Sequence, residues 1–593
     1  MFRISAAALC IGLAIVVPLG AAEVEVIAPE ASKELRKDLR AASLAAQAVR
    51  EKVTDGQELL AAAKADYRRM VAALYAAGHF GGTVSVDVDG REASTLSVLR
   101  RLPTINAITI RVTPGPRYRF STAQVAPLPK GIPPVEGFEP GALATTPVMR
   151  RAAERAIRNW RAKGHAKAQV SGQQITAQHA TTSIAARIDL APGPRLRFGK
   201  MILSQSSQTS RVRPNRIRAI AGLPTGEVFS PNDIEDAERR LRNSGAFRSA
   251  VVREAEDANP DETLDMTLDV EDAKPRRIGF GAEISNTEGL AGTAFWMHRN
   301  LLGGAERFRV DANIKGIAGD SGGIDYGLAA SLSRPAFLHP DMSLRFAAKL
   351  QHLDEPAYVS NLIETTVGVE RYINDKISVE LDIGARFSHV TDAFGTRNFN
   401  HVIGQAMLTW DNRDDELDPT KGTYAQVTAS PFVGIYGSET GARLYGDFRG
   451  YVPLQSGRFS LAGRVQAGSV TGASLAGTPP SYLFFSGGGG TVRGQDYQSL
   501  GGTTVAGQTV GGRSFLGLTG ELRAKVTDNI GVVGFVDYGY VSPAAGYTGG
   551  DWHGGAGIGG RYYTPIGPIR FDVALPITGE KGFGVYVGIG QSF

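Results

Sequence analysis

From Arg276 to Phe593 the chain keeps a two-residue alternation of apolar and polar side chains, broken by Gly, Asp, Asn and Pro, with no helical period. In Arg513–Val526, Leu516, Leu518 and Leu522 share one face, while Thr519, Glu521, Arg523 and Lys525 share the other. In Pro568–Leu575, Ile569, Phe571, Val573 and Leu575 oppose Arg570 and Asp572. One such strand fits a soluble sandwich as well as a membrane wall. About sixteen of them in series, at roughly 20 residues per strand and connection, fit tilted membrane strands of about 9–11 residues. The expected fold of residues 276–593 is an all-β, 16-stranded transmembrane barrel, apolar outside and charged inside. An even strand count puts both barrel ends on one side. The 73 glycines lack a G-X-Y period, which excludes collagen. The net charge of +5 makes no case for nucleic acid as a partner.

The N-terminus has the layout of a secretory signal peptide over residues 1–22. Arg3 precedes the apolar run Ala6–Val17, Pro18 breaks it, and Gly20-Ala21-Ala22 supplies small residues. Cys10, the single cysteine, sits inside that run and is expected to leave with it. Residues 23–275 read as a repeat. Pro114-Gly115-Pro116-Arg117-Tyr118-Arg119-Phe120 returns as Pro192-Gly193-Pro194-Arg195-Leu196-Arg197-Phe198. Gly78-His79-Phe80, Gly164-His165-Ala166 and Gly245-Ala246-Phe247 each close a helical stretch (Asp66–Ala77, Val148–Lys163, Pro231–Asn243) and open a strand. Three α+β modules of about 80 residues follow, at 23–115, 116–194 and 195–275. Serial modules with edge strands suit binding of extended chains.

This arrangement resembles the BamA/TamA superfamily of outer-membrane barrel-assembly proteins, with POTRA (polypeptide-transport-associated) modules before a surface-antigen-type barrel. The most specific match is Val492-Arg493-Gly494, within Gly487–Tyr497; Gln495 stands where the family has an aromatic, and Tyr497 comes two residues later. His298–Gly304, Asp411–Asp414, Asp418–Gly422, Phe535–Gly539, Arg561–Pro568 and the Gly590–Phe593 terminus are similar to further family motifs. The resemblance implies that the long connection 471–511 folds back into the lumen and that acidic wall residues hold its arginine. Alternation puts Glu521 and Asp572 on the inner face, and Asp537 as well if Val532, Val536 and Tyr538 face lipid. The expected pair is Arg493–Asp537, with Glu521 next, because a guanidinium fork matches a carboxylate. The resemblance also implies a weak seam between the first strand (Arg276–Ser285) and the last (Phe583–Phe593), where Gly279, Gly281, Gly584, Gly588, Gly590 and Phe593 lie.

Enzyme motifs are weak here. Gly319-Asp320-Ser321-Gly322-Gly323 spells a serine-protease nucleophile context, but no His base stands in a matching context. Gly555–Gly560 matches G-x-G-x-x-G with no βαβ unit after it, and Arg413 interrupts the acidic run Asp411–Asp418. No catalytic residue, cofactor or metal site is assigned. Three modules favour a TamA-like member, since BamA usually carries five and two-partner secretion transporters two. The implied function is insertion of unfolded outer-membrane β-proteins such as autotransporters. Outer-membrane lipid and a TamB-like inner-membrane protein are the implied partners. BamA-like general assembly and export of one dedicated secreted partner are the alternatives.

Overall fold

The computed structural model describes residues 22–97, 104–133, 135–286, 288–319, 322–454, 458–565, 567–579 and 582–591. Residues 1–21, which hold nearly all of the expected signal peptide, lie outside these. The chain forms two compact bodies. One runs to Phe198 and takes in Gly226–Asn232 and Ala258–Leu264; the other holds Gly199–Thr225, Asp233–Asp257 and the chain from Asp265 on.

Three small sheets precede the barrel. In the first, Glu23–Ile27 lies parallel to Ala107–Thr113, followed by Thr83–Val88 and Arg91–Glu92. Helices Lys33–Ala42, Leu44–Arg50 and Gly56–Ala76 start where Ser32, Ser43 and Asp55 cap their first amides. Their Leu39, Leu60, Met70 and Leu74 pack with Val86, Ile108 and Ile110 of the sheet. The sequence pattern suggested a helix beginning at Asp66, but the helix begins ten residues earlier and Asp66 is fully buried inside it. Its carboxylate caps the neighbouring helix instead, accepting from Ser43 Oγ at 2.7 Å, Leu44 N at 2.7 Å and Ala45 N at 3.2 Å. The second sheet orders Arg119–Ala126, Ser183–Ala191 and Gln169–Gln178 against one helix, Thr146–Arg161. The third orders Arg197–Leu203, Thr263–Asp272 and Phe247–Glu254, accompanied by helices Pro214–Ala221 and Pro231–Asn243.

The barrel is closed by sixteen antiparallel strands, from Arg276–Ser285 to Gly584–Ile589. Alternation sorts the wall as the sequence indicates. Leu518, Leu522, Phe571 and Leu575 are exposed outward, while Glu521, Arg523, Arg570 and Asp572 are buried inside. The last strand is shorter than the Phe583–Phe593 of the sequence reading. It ends at Ile589 because Gly590 adopts φ +93, and Gln591 N then donates to Leu417 O at 3.2 Å. Ser592 and Phe593 lie outside the described residues.

Much of the third module belongs to the same compact body as the barrel. Arg240 forks onto Asp341 at 2.5 and 3.0 Å, Arg213 N donates to Gly303 O at 2.9 Å, and Asn300 Nδ2 donates to Arg211 O at 2.8 Å. The Asn300 and Gly303 positions are those of the His298–Gly304 motif, which here forms a docking turn. On the module side, burial pushes the Asp272 carboxyl up. Hydrogen bonds from Ser210 and Arg211 outweigh that and hold it below the ordinary range.

Two measurements follow. Asp66→Ala strands three donors and should cost about 2–4 kcal/mol locally, seen as faster protease cleavage within residues 33–77 than in the wild-type chain. The Asp272 contribution is present above the unfolded carboxyl value of about 4 and is lost as pH falls through the lower folded one. The hydrogen-exchange protection of the Arg211 amide, which donates to Asp272 Oδ2, should therefore persist until the pH drops below about 4.

Candidate functional site

The connection between strands Phe459–Thr471 and Ser514–Lys525 turns back into the barrel and packs there on its aromatic side chains. Phe484 bridges Gly512 through the backbone and stacks on Phe515 with ring centroids 5.8 Å apart. Ser486 pairs with Leu500 and Gly488 with Val492, so the segment doubles on itself and presents Arg493 at its end. Gly494, at φ +87, gives the reversal that carries the chain past Arg493. A Cβ there would also stand 2.8 Å from the Leu575 backbone.

Arg493 is 2% exposed and meets all three carboxylates named from the sequence. Nε donates to Asp537 Oδ2 at 2.8 Å and Nη2 to Asp537 Oδ1 at 3.0 Å, a bidentate fork. Nη1 donates to Glu521 Oε1 at 2.9 Å and Asp572 Oδ2 at 3.2 Å, and the backbone amide reaches Asp537 Oδ2 at 3.2 Å. The guanidinium carbon lies 3.5 Å from the centre of the Phe535 ring. Two more arginines complete the cluster. Arg523 Nε donates to Glu521 Oε2 at 2.9 Å, and Arg561 Nη1 to Asp572 Oδ1 at 2.5 Å. Three guanidinium groups therefore face three carboxylates, and the formal charges cancel.

Sequence reasoning placed Arg523 on the inner face but gave neither it nor Arg561 a role. The signal available was the odd–even parity that Arg523 shares with Glu521. Val492 is fully buried, its side chain beside Gly539. Gln495, in the position where the family has an aromatic, bonds through Nε2 to Gly554 O at 2.7 Å and Thr578 O at 2.6 Å. Tyr497 OH donates to Glu355 Oε1 at 3.3 Å and does not join the arginine cluster. Gly555, from the G-x-G-x-x-G match, lies in strand Asp551–Thr564, where a Cβ would stand 1.9 Å from the Arg493 carbonyl oxygen. Ser321 of the protease-like motif lies outside the described residues.

The same loop touches both sides of the seam. Gly489 N donates to Glu288 Oε1 at 2.7 Å, just past the first strand, and Gly494 N to Tyr586 OH at 3.1 Å on the last. The seam itself is short. Among the described residues, first and last strands share two register pairs, Ile284 with Val587 and Ser285 with Tyr586, and Asn286 N donates to Val585 O at 3.3 Å. Asn286 adds side-chain bonds to Val585 N at 2.7 Å and Phe583 O at 3.1 Å, and Arg570 pairs with Glu283. By contrast, strands Ile377–Asp392 and Gly395–Asp411 pair from Ile377 through Asp392. The seam glycines mostly make room. A Cβ on Gly279 would stand 2.2 Å from the Phe295 ring, one on Gly281 2.7 Å from Thr293 Oγ1, and one on Gly588 3.0 Å from Arg570 Nε. One on Gly584 would meet the Tyr586 hydroxyl. Phe593 cannot be placed at the seam, being outside the described residues.

A closed sixteen-stranded barrel with an apolar outer wall, a charge-pinned internal loop and α/β modules before it defines an outer-membrane protein whose N-terminal modules are periplasmic. Residues 300–593 match the Omp85 superfamily domain, and residues 198–272 match the POTRA model described as a surface antigen variable number repeat. The chain is a member of the Omp85 superfamily, whose barrels assemble or transport proteins at the outer membrane. Its fold is similar to that of BamA from Haemophilus ducreyi lacking POTRA domains 1–3. That match has TM-score 0.60 and 17% identity, over 80% of this chain and 100% of that one. CdiB from Acinetobacter baumannii matches at TM-score 0.51 and 12% identity, over 80% and 90% of the two chains.

Arg493→Ala leaves Asp537 buried without its fork and should cost about 3–5 kcal/mol. The expected readout is a lower temperature at which the barrel loses its folded mobility in a semi-native gel. Arg493→Lys should recover only part of the loss, because an ammonium cannot fork onto Asp537 while also reaching Glu521 and Asp572.

Proposed function

We propose that this protein is the outer-membrane subunit of a translocation and assembly module, TamA-like, which inserts outer-membrane β-proteins such as autotransporters through the seam. The observation carrying this reading is the contrast in pairing. A strand edge is held closed elsewhere along the barrel by a ladder of backbone bonds, and here, among the described residues, by two register pairs, one further backbone bond and a few side chains. Among the described residues, the first strand below Ile284 has seam-side backbone donors and acceptors that an incoming strand can engage, which is how edges capture extended chains. Unfolded outer-membrane β-proteins are the substrates that fit this edge. Arg493, Val492, Gly494 and their acidic partners hold the loop against both seam strands, so in this reading they set the geometry of the opening without touching the substrate chemically. The TamA-like assignment rests on three α/β modules preceding the barrel. With it comes a TamB-like inner-membrane partner engaging the first module, residues 23–115.

Ile284→Cys with Val587→Cys, in a chain whose only cysteine is Cys10, tests the seam. Oxidation should stop insertion of an autotransporter substrate in proteoliposomes, and reduction should restore it. Insertion that continues at full rate with the disulfide formed would overturn the gate. The partner is tested separately by affinity isolation from outer membranes with mass spectrometry. A large inner-membrane protein that is lost when residues 23–115 are removed supports the TamA-like reading. Recovery of one dedicated secreted protein instead favours an export role.

A further inference from the structure

The outer wall over five consecutive strands carries a polar row above its apolar band. Tyr326, His352, Asn361, His389 and Asn398 are successive register partners across strands Asp325–Arg334, Met342–Glu355, Tyr358–Tyr372, Ile377–Asp392 and Gly395–Asp411. All five lie near the strand ends remote from the barrel termini. They face outward: their neighbours Glu364 and Arg386, of opposite parity, pair with each other on the inner face. The row is organised. Asn Oδ1 can only accept, so His352 donates from Nδ1 to Asn361 at 2.8 Å, and His389 from Nδ1 to Asn398 at 2.8 Å. The Tyr326 ring stacks on His352 at 4.8 Å between centroids. This leaves the amide N–H groups of both Asn residues, the imidazole Nε2 atoms and the Tyr326 hydroxyl on the open side.

The wall below is tiered. The next register row is Leu328, Leu350, Ile363 and Phe387, each 43–55% exposed. The row after that is Ala330, Ala348, Thr365 and Ala385, where the wall steps back by most of a side chain. Beneath it Phe346, Val367 and Ile383 stand out again. A groove of about 640 Å³ joins the polar row to the first apolar tier, and none of its lining residues is Asp, Glu, Lys or Arg.

We infer that this face holds a lipid with a saccharide headgroup, seated in the leaflet away from the periplasmic modules. Unpaired amide donors are costly against hydrocarbon, so the row belongs at headgroup level. A phosphate headgroup calls for guanidinium or ammonium donors, and the lining has none. Sugar hydroxyls both donate and accept, matching the mixed array of amide N–H, imidazole nitrogen and phenol. The stacked Tyr326 ring offers a flat apolar face to a pyranose. The recessed alanine row gives an acyl chain a track between two ridges of larger side chains.

The test uses the full-length protein in detergent micelles, checked by its heat-modifiable gel mobility, with native mass spectrometry as readout. The probes, at equal concentration, are a multiply acylated glucosamine disaccharide lipid, its dephosphorylated form, and phosphatidylglycerol. Wild-type protein should retain both disaccharide lipids over phosphatidylglycerol. His352→Leu with His389→Leu, and separately Asn361→Leu, should lower that retention about ten-fold. Leu444→Ala, on another exposed part of the wall, should leave it unchanged. Equal retention of all three lipids, retention of the phosphorylated form alone, or ladder variants that bind like wild type would each overturn the assignment.

Discussion

The interior of this barrel depends on a charge-neutral cluster. Charged groups taken out of water lose several kcal/mol each unless geometry restores the interaction, and Coulomb attraction alone rarely does so. Here every member of the cluster is almost fully buried, and each carboxylate serves at least one guanidinium. Arg493 arrives from a loop, while its partners sit on strands Ser514–Lys525, Ile530–Ser542 and Gly567–Pro576. The wall thus carries three negative and two positive charges that only the loop can balance. A barrel closed without the loop in place retains an unpaired buried carboxylate, so the cluster links loop placement to barrel closure. Its value lies in selecting one arrangement, since an apolar plug could supply stability as well.

The seam gains its meaning from that cluster. Two register pairs are too few to hold a wall shut by backbone bonding at about 1 kcal/mol each. The loop adds Glu288 on one side and Tyr586 on the other, and Asn286 and Arg570 add side-chain links. Side-chain links can be exchanged without unwinding a strand. The early end of the last strand at Gly590 works the same way, diverting Gln591 towards Leu417 and Asp418 at 3.2 and 2.8 Å. Among the described residues, the lower part of the first strand has no strand partner on its seam side.

The wall was legible in the sequence because strand parity is a local rule: a residue's face follows from counting by two. That count placed Glu521 and Asp572 inside, and Asp537 as well once Val532, Val536 and Tyr538 face outward, as they do. What it cannot give is which inward residues meet across strands, since that depends on stagger. Arg561 reaches Asp572 because strand register sets Gly559 opposite that aspartate, leaving space where a Cβ would stand 2.0 Å from its Oδ1. Asp66 shows the same limit in the modules. The helical stretch reads in sequence as beginning at Asp66, yet that residue's acceptors are used by another helix across the fold. The outward row of His and Asn reads as five scattered polar residues in sequence. Only the register aligns it.

Glycine usage ties these points together. Gly539, Gly555 and Gly559 lie on the inner wall, and added Cβ atoms would stand 2.1, 1.9 and 2.0 Å from Ser486 Oγ, the Arg493 carbonyl and the Asp572 carboxylate. These are not turn glycines; their φ values lie outside the left-handed region. Gly539 and Gly555 are the imprint of the loop on the wall, and Gly559 makes room for the Asp572 carboxylate and Arg561. Their place in strands costs intrinsic sheet stability, because glycine packs nothing and loses the most backbone freedom. That loss is tolerable only if the loop occupies the space, which returns van der Waals contact and completes the charge cluster. An interior shaped this closely to one loop argues that the loop is a fixed part of the wall.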